Sequence, residues 1–321
     1  AHRNAPAARG RVSRLMKRSH LALLIVMNLF WAVTYSAFKG LALTLTPGAL
    51  TTLRYALATL LIGLLWPLLP GKTPQRRDLF KTAIMGILVF SVGPRLQVLG
   101  VHLGKAGDAS VLIALEPLVT AVAAALFLRE QVPFRRWIGF GIGLSGVLLL
   151  NHGWRIGIPW AGLIASLVFL SSFLCEAAYS VIGKPLLGHS GILKVVAVAL
   201  GWGTLANLLL DGPNTWTKLP ELTTAVWLVM AYLTVICTLV GYSLWYLVIR
   251  DTDVSLAAMT ILLQPAVGVF IAAFTVGESL HWGQLWGSAA IVIGLVIGLG
   301  VGPNSQTRTP TPEECAPPAS L

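Results

Sequence analysis

Apolar runs of about twenty residues follow one another along almost the whole chain, and only short connections separate them. A run of this length crosses the roughly 30 Å hydrocarbon core of a bilayer as a helix, which satisfies every backbone polar group internally. Hydrophobic residues make up 56% of the chain and charged residues only 11%, against about a quarter in soluble domains. The pattern predicts an all-α integral membrane protein with ten transmembrane helices, over residues 20–42, 47–69, 79–102, 107–128, 133–151, 158–182, 190–210, 224–248, 254–276 and 281–301.

Basic residues crowd the connections on one predicted side of the membrane. If the N-terminus is inside, the inner segments contain Arg3, Arg9, Arg11, Arg14, Lys17, Arg18, Lys72, Arg76, Arg77, Arg129, Arg135, Arg136, Lys184, Arg250 and Arg308. The outer connections then contain Lys105, Arg155 and Lys218. Because positive charge accumulates on the cytoplasmic side, this bias predicts that both termini are cytoplasmic. Residues 1–19 would form a basic cytoplasmic segment rather than a cleaved signal peptide, and residues 303–321, rich in proline and threonine, a disordered tail.

The chain also contains an internal repeat. At one constant offset its halves share a proline, a glutamate and two glycines, as Pro117 with Pro265, Glu130 with Glu278, Gly139 with Gly287 and Gly146 with Gly294. A similar offset aligns Lys39 with Lys184, each at the end of the first helix of its half. The halves, residues 20–151 and 158–301, therefore have five helices each. Since five is odd, the second half is inverted in the membrane, which is typical of transporters with a central site between the repeats.

The motifs of the two halves resemble those of paired EamA domains of the drug/metabolite transporter superfamily, over about residues 20–301. The motifs are FWAVTYSAFK with Trp31 and Lys39, LTTLRYALATLL with Arg54, the prolines of LEPL and LQPA, the helix-ending glutamates, and the glycine-rich fifth and tenth spans. The resemblance implies a ten-helix carrier of the bacterial inner membrane that works by alternating access. A further similarity to YddG-type exporters implies export of amino acids, aromatic or otherwise neutral, or of related small metabolites. One departure is that Arg54 has no arginine counterpart in the second half.

Glu116 lies beside Pro117 in the middle of the apolar run VLIALEPLVTAVAAALFL. A carboxylate at this depth is costly and faces the interior of the helix bundle or a water-filled cavity rather than lipid. Two interpretations stay open, an ion pair with Arg95 or Arg54 and a cavity-lining group that touches the substrate. The equivalent position in the second half is the neutral Gln264, which is itself a candidate for the cavity lining. The fold therefore does not demand a charge at Glu116, and this favours a functional role.

Other polar and aromatic residues also lie within the apolar spans. Lys39, Arg54 and Arg95 are predicted to lie in the extracellular half of the first repeat, where they would attract a carboxylate or a phosphate if they face one cavity. Snorkelling or pairing is the usual role of such cations, and Arg54 lies too deep to snorkel easily. Deep aromatic residues usually serve packing, but some of these five are expected to line the cavity: Trp31, Tyr35, Tyr179, Trp202 and Trp245.

Pro117 and Pro265 are predicted hinge or gate positions, because a proline frees a backbone carbonyl and tilts the helix. A kink that serves only packing is the alternative. The repeated glycines of the fifth and tenth spans permit close helix contact, which would serve packing or dimerisation.

Several classes of function are not supported by the sequence. The six histidines are scattered without metal-binding or catalytic spacing, the three cysteines form no disulfide or zinc pattern, and no phosphate-binding loop is present. We therefore expect no enzyme activity, no cofactor, no metal and no nucleic-acid partner, and a monomer or weak homodimer in the lipid bilayer. A passive channel or membrane-embedded structural subunit, and a carrier of anionic or phosphorylated metabolites, remain as alternatives. The sequence leaves proton antiport, exchange and facilitated diffusion equally open.

Overall fold

The computed structural model describes residues 16–41, 44–103, 112–150, 160–276 and 282–300. These residues form ten helical segments, one for each predicted span, so the predicted all-α fold is confirmed. In chain order they are α1 Arg18–Leu41, α2 Pro47–Leu64, α3 79–103, α4 113–127, α5 Phe134–Leu150, α6 Trp160–Leu186, α7 Ile192–Lys218, α8 224–249, α9 254–276 and α10 Trp282–Leu299. Within the described residues, six stretches are long and apolar enough to cross a membrane, and Arg18–Thr34, Ile113–Phe127 and Val254–Gly268 are shorter apolar helices. Residues 1–15 of the predicted N-terminal segment and all of the predicted tail lie outside the described residues.

Two helices end five or more residues away from the predicted ends of their spans. The second helix ends at Leu64 because Trp66–Leu68, with Pro67 near its start, forms a separate 3₁₀ turn. The seventh helix continues beyond residue 210 to Lys218 and includes Pro213. The length of an apolar run reflects only the thickness of the hydrocarbon core, and a helix can extend beyond that core into the polar interface.

The helices α3 and α8, third in their respective halves, each contain a wider π-helical stretch, at Leu88–Val92 and Tyr232–Val240. In α3 the cause is local, since Pro94 has no N–H to donate to the carbonyl of Phe90. The side-chain amide of Asn207 donates to that carbonyl instead, at 2.7 Å. In α8 the carbonyl of Cys237 accepts a hydrogen bond from the indole N–H of Trp31 at 2.9 Å. Both irregular helices are thus stabilised by side chains from neighbouring helices.

The fourth helix of each half is irregular in a matching way. A 3₁₀ turn at Ile113–Leu115 precedes the α-helical part of α4, and a 3₁₀ turn at Met259–Leu262 interrupts α9. Pro117 and Pro265 follow these turns closely. The internal repeat is therefore visible in helix geometry as well as in sequence.

Helix packing follows the same two-fold relation. Helix α1 packs against α8 and α9, and the corresponding helix α6 packs against α3 and α4. Helices α2 and α7, α4 and α9, and α5 and α10 pack against their own counterparts. Exchanging the two halves maps this set of contacts onto itself, as a two-fold relation between two repeats requires.

Glycines bring α5 and α10 into close contact across this two-fold relation. A Cβ atom on Gly139 would lie 2.6 Å from the carbonyl oxygen of Gly294, and one on Gly146 would lie 2.6 Å from that of Gly287. Because the repeat aligns Gly139 with Gly287 and Gly146 with Gly294, each contact is the image of the other. The glycines therefore serve helix packing inside one chain.

A hydrogen bond marks the pseudo-two-fold axis. The hydroxyl oxygens of Thr59 on α2 and Thr204 on α7 lie 2.7 Å apart. The offset that aligns Lys39 with Lys184 also aligns these two threonines. Equivalent residues of two halves can meet only where the symmetry axis passes, so the axis runs between α2 and α7.

The largest buried core fills one end of the helix bundle. We call this end the basic face, because it carries the connections 65–78, 128–133, 187–191 and 250–253. Apolar side chains from α1 to α4 and from α6 to α9 meet there, among them Leu24, Met27, Phe90, Tyr246, Ile249 and Val254, all without solvent exposure. This core separates the centre of the bundle from the basic face.

Candidate functional site

A cleft between the two halves, called the cavity below, lies above the core of the basic face and contains about 620 Å³ of empty space, part of which is open to solvent. Both repeats contribute to its lining, which comprises Trp31, Thr34, Arg54, Tyr55, Pro94, Gln97, Glu116, Glu176, Tyr242 and Gln264. Four of the sequence-predicted residues are thus brought together, namely Trp31, Arg54, Glu116 and Gln264.

Arg54 projects from the middle of α2 and is 7% exposed. Its Nε donates a hydrogen bond to Thr238 Oγ1 at 2.8 Å, and its guanidinium lies 5.1 Å from the ring centroid of Tyr55. Thr238 belongs to the π-helical stretch of α8, and its hydroxyl donates to the carbonyl of Leu233 at 2.9 Å. These contacts fix one positive charge in the cavity wall, in an environment with little water.

Glu116 is the first residue of the α-helical part of α4, directly after the 3₁₀ turn, and is half-buried beside the cavity. Within the described part of the chain it forms no ion pair. Its repeat counterpart Gln264 is 6% exposed and donates through Nε2 to Asn28 Oδ1 at 2.8 Å. The two equivalent positions therefore contribute an acidic and a neutral polar group to one lining.

Arg95 does not pair with Glu116. Its guanidinium forms an ion pair with Asp211 on α7 and donates to Asn207 Oδ1 at 3.0 Å. The sequence analysis missed Asp211 as a partner, although both residues lie toward the end of the bundle opposite the basic face. Arg95 is not among the lining residues, and its charge is compensated outside the cavity.

Glu176 on α6 is a lining residue that the sequence analysis missed. It lies in the stretch FLCEAAYS inside the sixth apolar span, so the rule that singled out Glu116 could have found it. The hydroxyl of Tyr242 donates to its Oε2 at 3.4 Å. Within the described ranges, no group of three histidine, cysteine or acidic residues is arranged to hold a metal ion.

Aromatic side chains form one wall of the cavity, and further aromatic side chains pack beneath it. The rings of Trp31 and Tyr242 line it, with centroids 5.7 Å apart. Tyr179 lies below, stacked on Tyr246 at 4.0 Å and in edge contact with Tyr242. Trp245 is 5% exposed, and its indole N–H donates to Ser180 Oγ at 2.9 Å. Tyr179 and Trp245 therefore support the lining instead of belonging to it.

Of the remaining candidates, one lies away from the described lining and two have side chains that the structure does not describe. Trp202 on α7 is partly exposed and is not among the lining residues. The side chains of Tyr35 and Lys39 on α1 lie outside the described residues. The hinge candidates do lie close by, since Pro117 directly follows Glu116 and Pro265 directly follows Gln264.

Ion pairs and hydrogen bonds connect the two halves at the basic face. The carboxylate of Glu130, 7% exposed, accepts hydrogen bonds from Lys184 Nζ at 2.9 Å and from the backbone N–H groups of Val254 and Ser255 at 2.8 and 3.1 Å. Burial alone would raise the pKa of Glu130, but the Lys184 charge and these donors outweigh burial and hold the pKa below its ordinary value. Arg136 donates to Ser255 Oγ at 2.6 Å. The N-terminus of α9 is therefore bound to residues of the first repeat.

Two segments of the chain, residues 18–152 and 163–299, match the model of the EamA-like transporter family. A solved structure described only as "Crystal structure of protein" has the same fold, with a TM-score of 0.72, 16% sequence identity and coverage of 88% of this chain and 96% of that chain.

Relatives with similar sequences are named as transporters. An uncharacterized transporter of Archaeoglobus fulgidus is 26% identical over 84% of this chain and 94% of its own length. The uncharacterized inner membrane transporter YedA of Escherichia coli is 25% identical over 85% of this chain and 88% of its own length. A probable amino-acid metabolite efflux pump of Salmonella typhimurium is 27% identical over 60% of this chain and 67% of its own length. With both halves matched, the chain belongs to the EamA-like transporter family of the drug/metabolite transporter superfamily and is a multi-pass membrane transporter.

Proposed function

We propose that this transporter exports amino acids from the cytoplasm by alternating access. The observation that carries the proposal is the composition of the cavity, where Arg54 and Glu116 share one lining with the rings of Trp31 and Tyr242. An α-amino acid has a carboxylate for the arginine, an ammonium group for the glutamate and a side chain for the aromatic wall. Charge-assisted hydrogen bonds at both ends would fix its orientation.

The relatives and the orientation support the same function. The name of the Salmonella typhimurium relative describes amino-acid metabolite efflux, and the Escherichia coli relative is named as an inner membrane protein. The distribution of Lys and Arg favours a cytoplasmic basic face and cytoplasmic termini in a bacterial inner membrane. The buried core between the cavity and the basic face supports a carrier with alternating access over a continuous pore.

The charges in the cavity disfavour transport of phosphorylated metabolites. Asp211 compensates Arg95, and the lining contains the carboxylate of Glu116 beside Arg54. A phosphate group with close to two negative charges would meet like charge in this environment, which is unfavourable at low dielectric constant.

Transport by the purified protein in proteoliposomes tests the proposal. Preloaded vesicles should take up radiolabelled amino acids in a saturable counterflow. Arg54→Gln should weaken substrate binding about tenfold or more, because it removes a charged hydrogen bond to the substrate carboxylate worth roughly 1.5–3 kcal/mol. Arg250→Gln is the matched control, since Arg250 lies at the basic face with 45% of its side chain exposed.

Thermal unfolding of both variants shows whether the protein still folds. A folded Arg54→Gln protein with the transport affinity of the wild type would contradict the role of Arg54. Uptake that does not saturate for any amino acid would contradict the proposed function itself.

A further inference from the structure

The cavity contains a second acidic group from the opposite repeat. Glu116 comes from α4 of the first half and Glu176 from α6 of the second, and the two carboxyl groups lie within electrostatic range of each other and of Arg54. The Tyr242 hydroxyl donates to Glu176 at 3.4 Å, and no described ion pair includes Glu176. A zwitterionic amino acid needs only one acidic partner for its ammonium group, so the second carboxylate calls for a separate explanation.

The charged groups of the described lining are more often acidic than basic. With both carboxylates ionised, the described lining has two negative charges and the one positive charge of Arg54. Its other members are uncharged, and Asp211 compensates the neighbouring Arg95 outside the lining. The side chain of Lys39, which the structure does not describe, is not included in the count. In this ionised state the described lining therefore has one more negative charge than positive charges.

Substrate charge decides how well this lining is compensated. A zwitterion adds no net charge and leaves one carboxylate without a counter-charge, in surroundings where an uncompensated charge is expensive. An anionic amino acid increases the imbalance. An amino acid with a cationic side chain brings its carboxylate to Arg54 and two positive groups to the two glutamates, so that every charge has a partner.

The remaining lining groups also suit a cation. The rings of Trp31 and Tyr242 can interact with an ammonium or guanidinium group through their faces. Gln264 uses its Nε2 to donate to Asn28, which leaves the carbonyl oxygen as the acceptor that this side chain can offer. A basic side chain of a substrate can place its alkyl stem and its charged end against the aromatic faces and oxygen acceptors. A purely apolar side chain would leave the oxygen acceptors without a partner.

We propose that Glu176, together with Glu116, makes amino acids with a cationic side chain the preferred substrates of this transporter. The proposal rests on the proposed function, since it specifies which amino acids the same cavity takes. Glu176 acts as a specificity-determining residue, and Glu116 binds the α-ammonium group that all amino acids share.

The test compares lysine with norleucine, which has the same linear side chain without the terminal ammonium group. Each competes with a radiolabelled amino acid for counterflow in proteoliposomes that contain the wild-type protein. Lysine should compete at a concentration at least tenfold lower than norleucine. In Glu176→Gln the lining is neutral, and this ratio should fall to about one or invert.

Glu221→Gln is the matched control, because Glu221 is 62% exposed and pairs with Lys218 away from the cavity. It should keep the lysine preference of the wild type. If norleucine competes as well as lysine on the wild-type protein, the charge preference is refuted while amino-acid transport stands. If neither compound competes and no amino acid is transported, the proposed function fails instead. The wild-type ratio decides whether the charge preference exists even if Glu176→Gln does not fold, and a folded Glu176→Gln protein that keeps the lysine preference would refute the role of Glu176.

Discussion

At the scale of single residues, acidic groups inside the apolar spans have two different environments. Asp211 is bound to Arg95, whereas Glu116 forms no ion pair among the described residues and lies beside the cavity. Removing one partner of an ion pair leaves the other charge uncompensated, while removing a cavity carboxylate does not. We therefore expect Asp211 to have a structural role and Glu116 a functional one.

Glu116→Gln tests this distinction. We expect a folded protein of unchanged thermal stability, because glutamine occupies the equivalent position of the second half at residue 264. Transport affinity should fall about tenfold or more, since a charged contact to the substrate ammonium group is lost. Asp211→Asn serves as the comparison and should lower the free energy of unfolding by about 1–3 kcal/mol. A Glu116→Gln protein that loses stability to the same extent would assign Glu116 a structural role.

The sequence can reveal a charged residue inside an apolar span, but it cannot reveal the partner of that residue. Glu116 and Arg54 could be found because a charge inside an apolar run is costly wherever the helix packs. Glu176 obeys the same rule and was accessible in principle. The partner of Arg95 was not accessible, because it depends on which helix packs against α3 and at what height. Partner identity is a property of tertiary packing, and apolar spacing contains no information about it.

At the scale of helices, the irregular stretches lie where the two halves meet around the cavity. The 3₁₀ turn before Glu116 ends two residues before Pro117, and the one before Gln264 ends three residues before Pro265. The π-helical stretch of α3 ends two residues before the lining residue Pro94. Prolines are visible in a sequence, but the π-helical stretch of α8 contains no proline. It is supported by Trp31 of another helix, so only the packed structure reveals it.

Pro117→Ala and Pro265→Ala test whether these bends serve transport. Alanine restores a backbone N–H and allows regular α-helix to continue through the 3₁₀ turn, which would stiffen the wall of the cavity. We expect slower counterflow in both variants, with the folded protein still abundant in the membrane. Pro185→Ala, close to the end of α6 at the basic face, is a matched control that should transport normally. Counterflow at the wild-type rate in both test variants would assign the two prolines to packing.

At the scale of the whole molecule, the internal repeat predicts the number and arrangement of the helices better than any single motif does. The count of five helices per half follows from apolar runs of sufficient length, and the inversion follows from that odd number. The packing of α5 on α10 and of α2 on α7 confirms the two-fold relation. The sequence could not predict which helices are neighbours, because apolar faces of similar composition pack with one another in many arrangements.

Reporter fusions test the orientation in the membrane. A reporter fused after Gly153 should be periplasmic, and one fused after Gly302 should be cytoplasmic, because the basic connections remain inside. Accessibility labelling at the same two positions provides a second measurement. Reporters on the same side would contradict the inverted arrangement, and reversed reporters would contradict the assignment of the basic face to the cytoplasm.

The contact between Thr59 and Thr204 has a consequence for how such a site can evolve. In a symmetric dimer of two separate five-helix chains, every substitution would occur twice, once on each side of the axis. One continuous polypeptide removes that restriction, and the two offsets place Glu116 opposite Gln264, Trp31 opposite Glu176 and Arg54 opposite Ala199. A duplicated and fused gene can therefore keep the symmetry of its scaffold while each copy acquires its own binding groups, which a homodimer of identical halves cannot do.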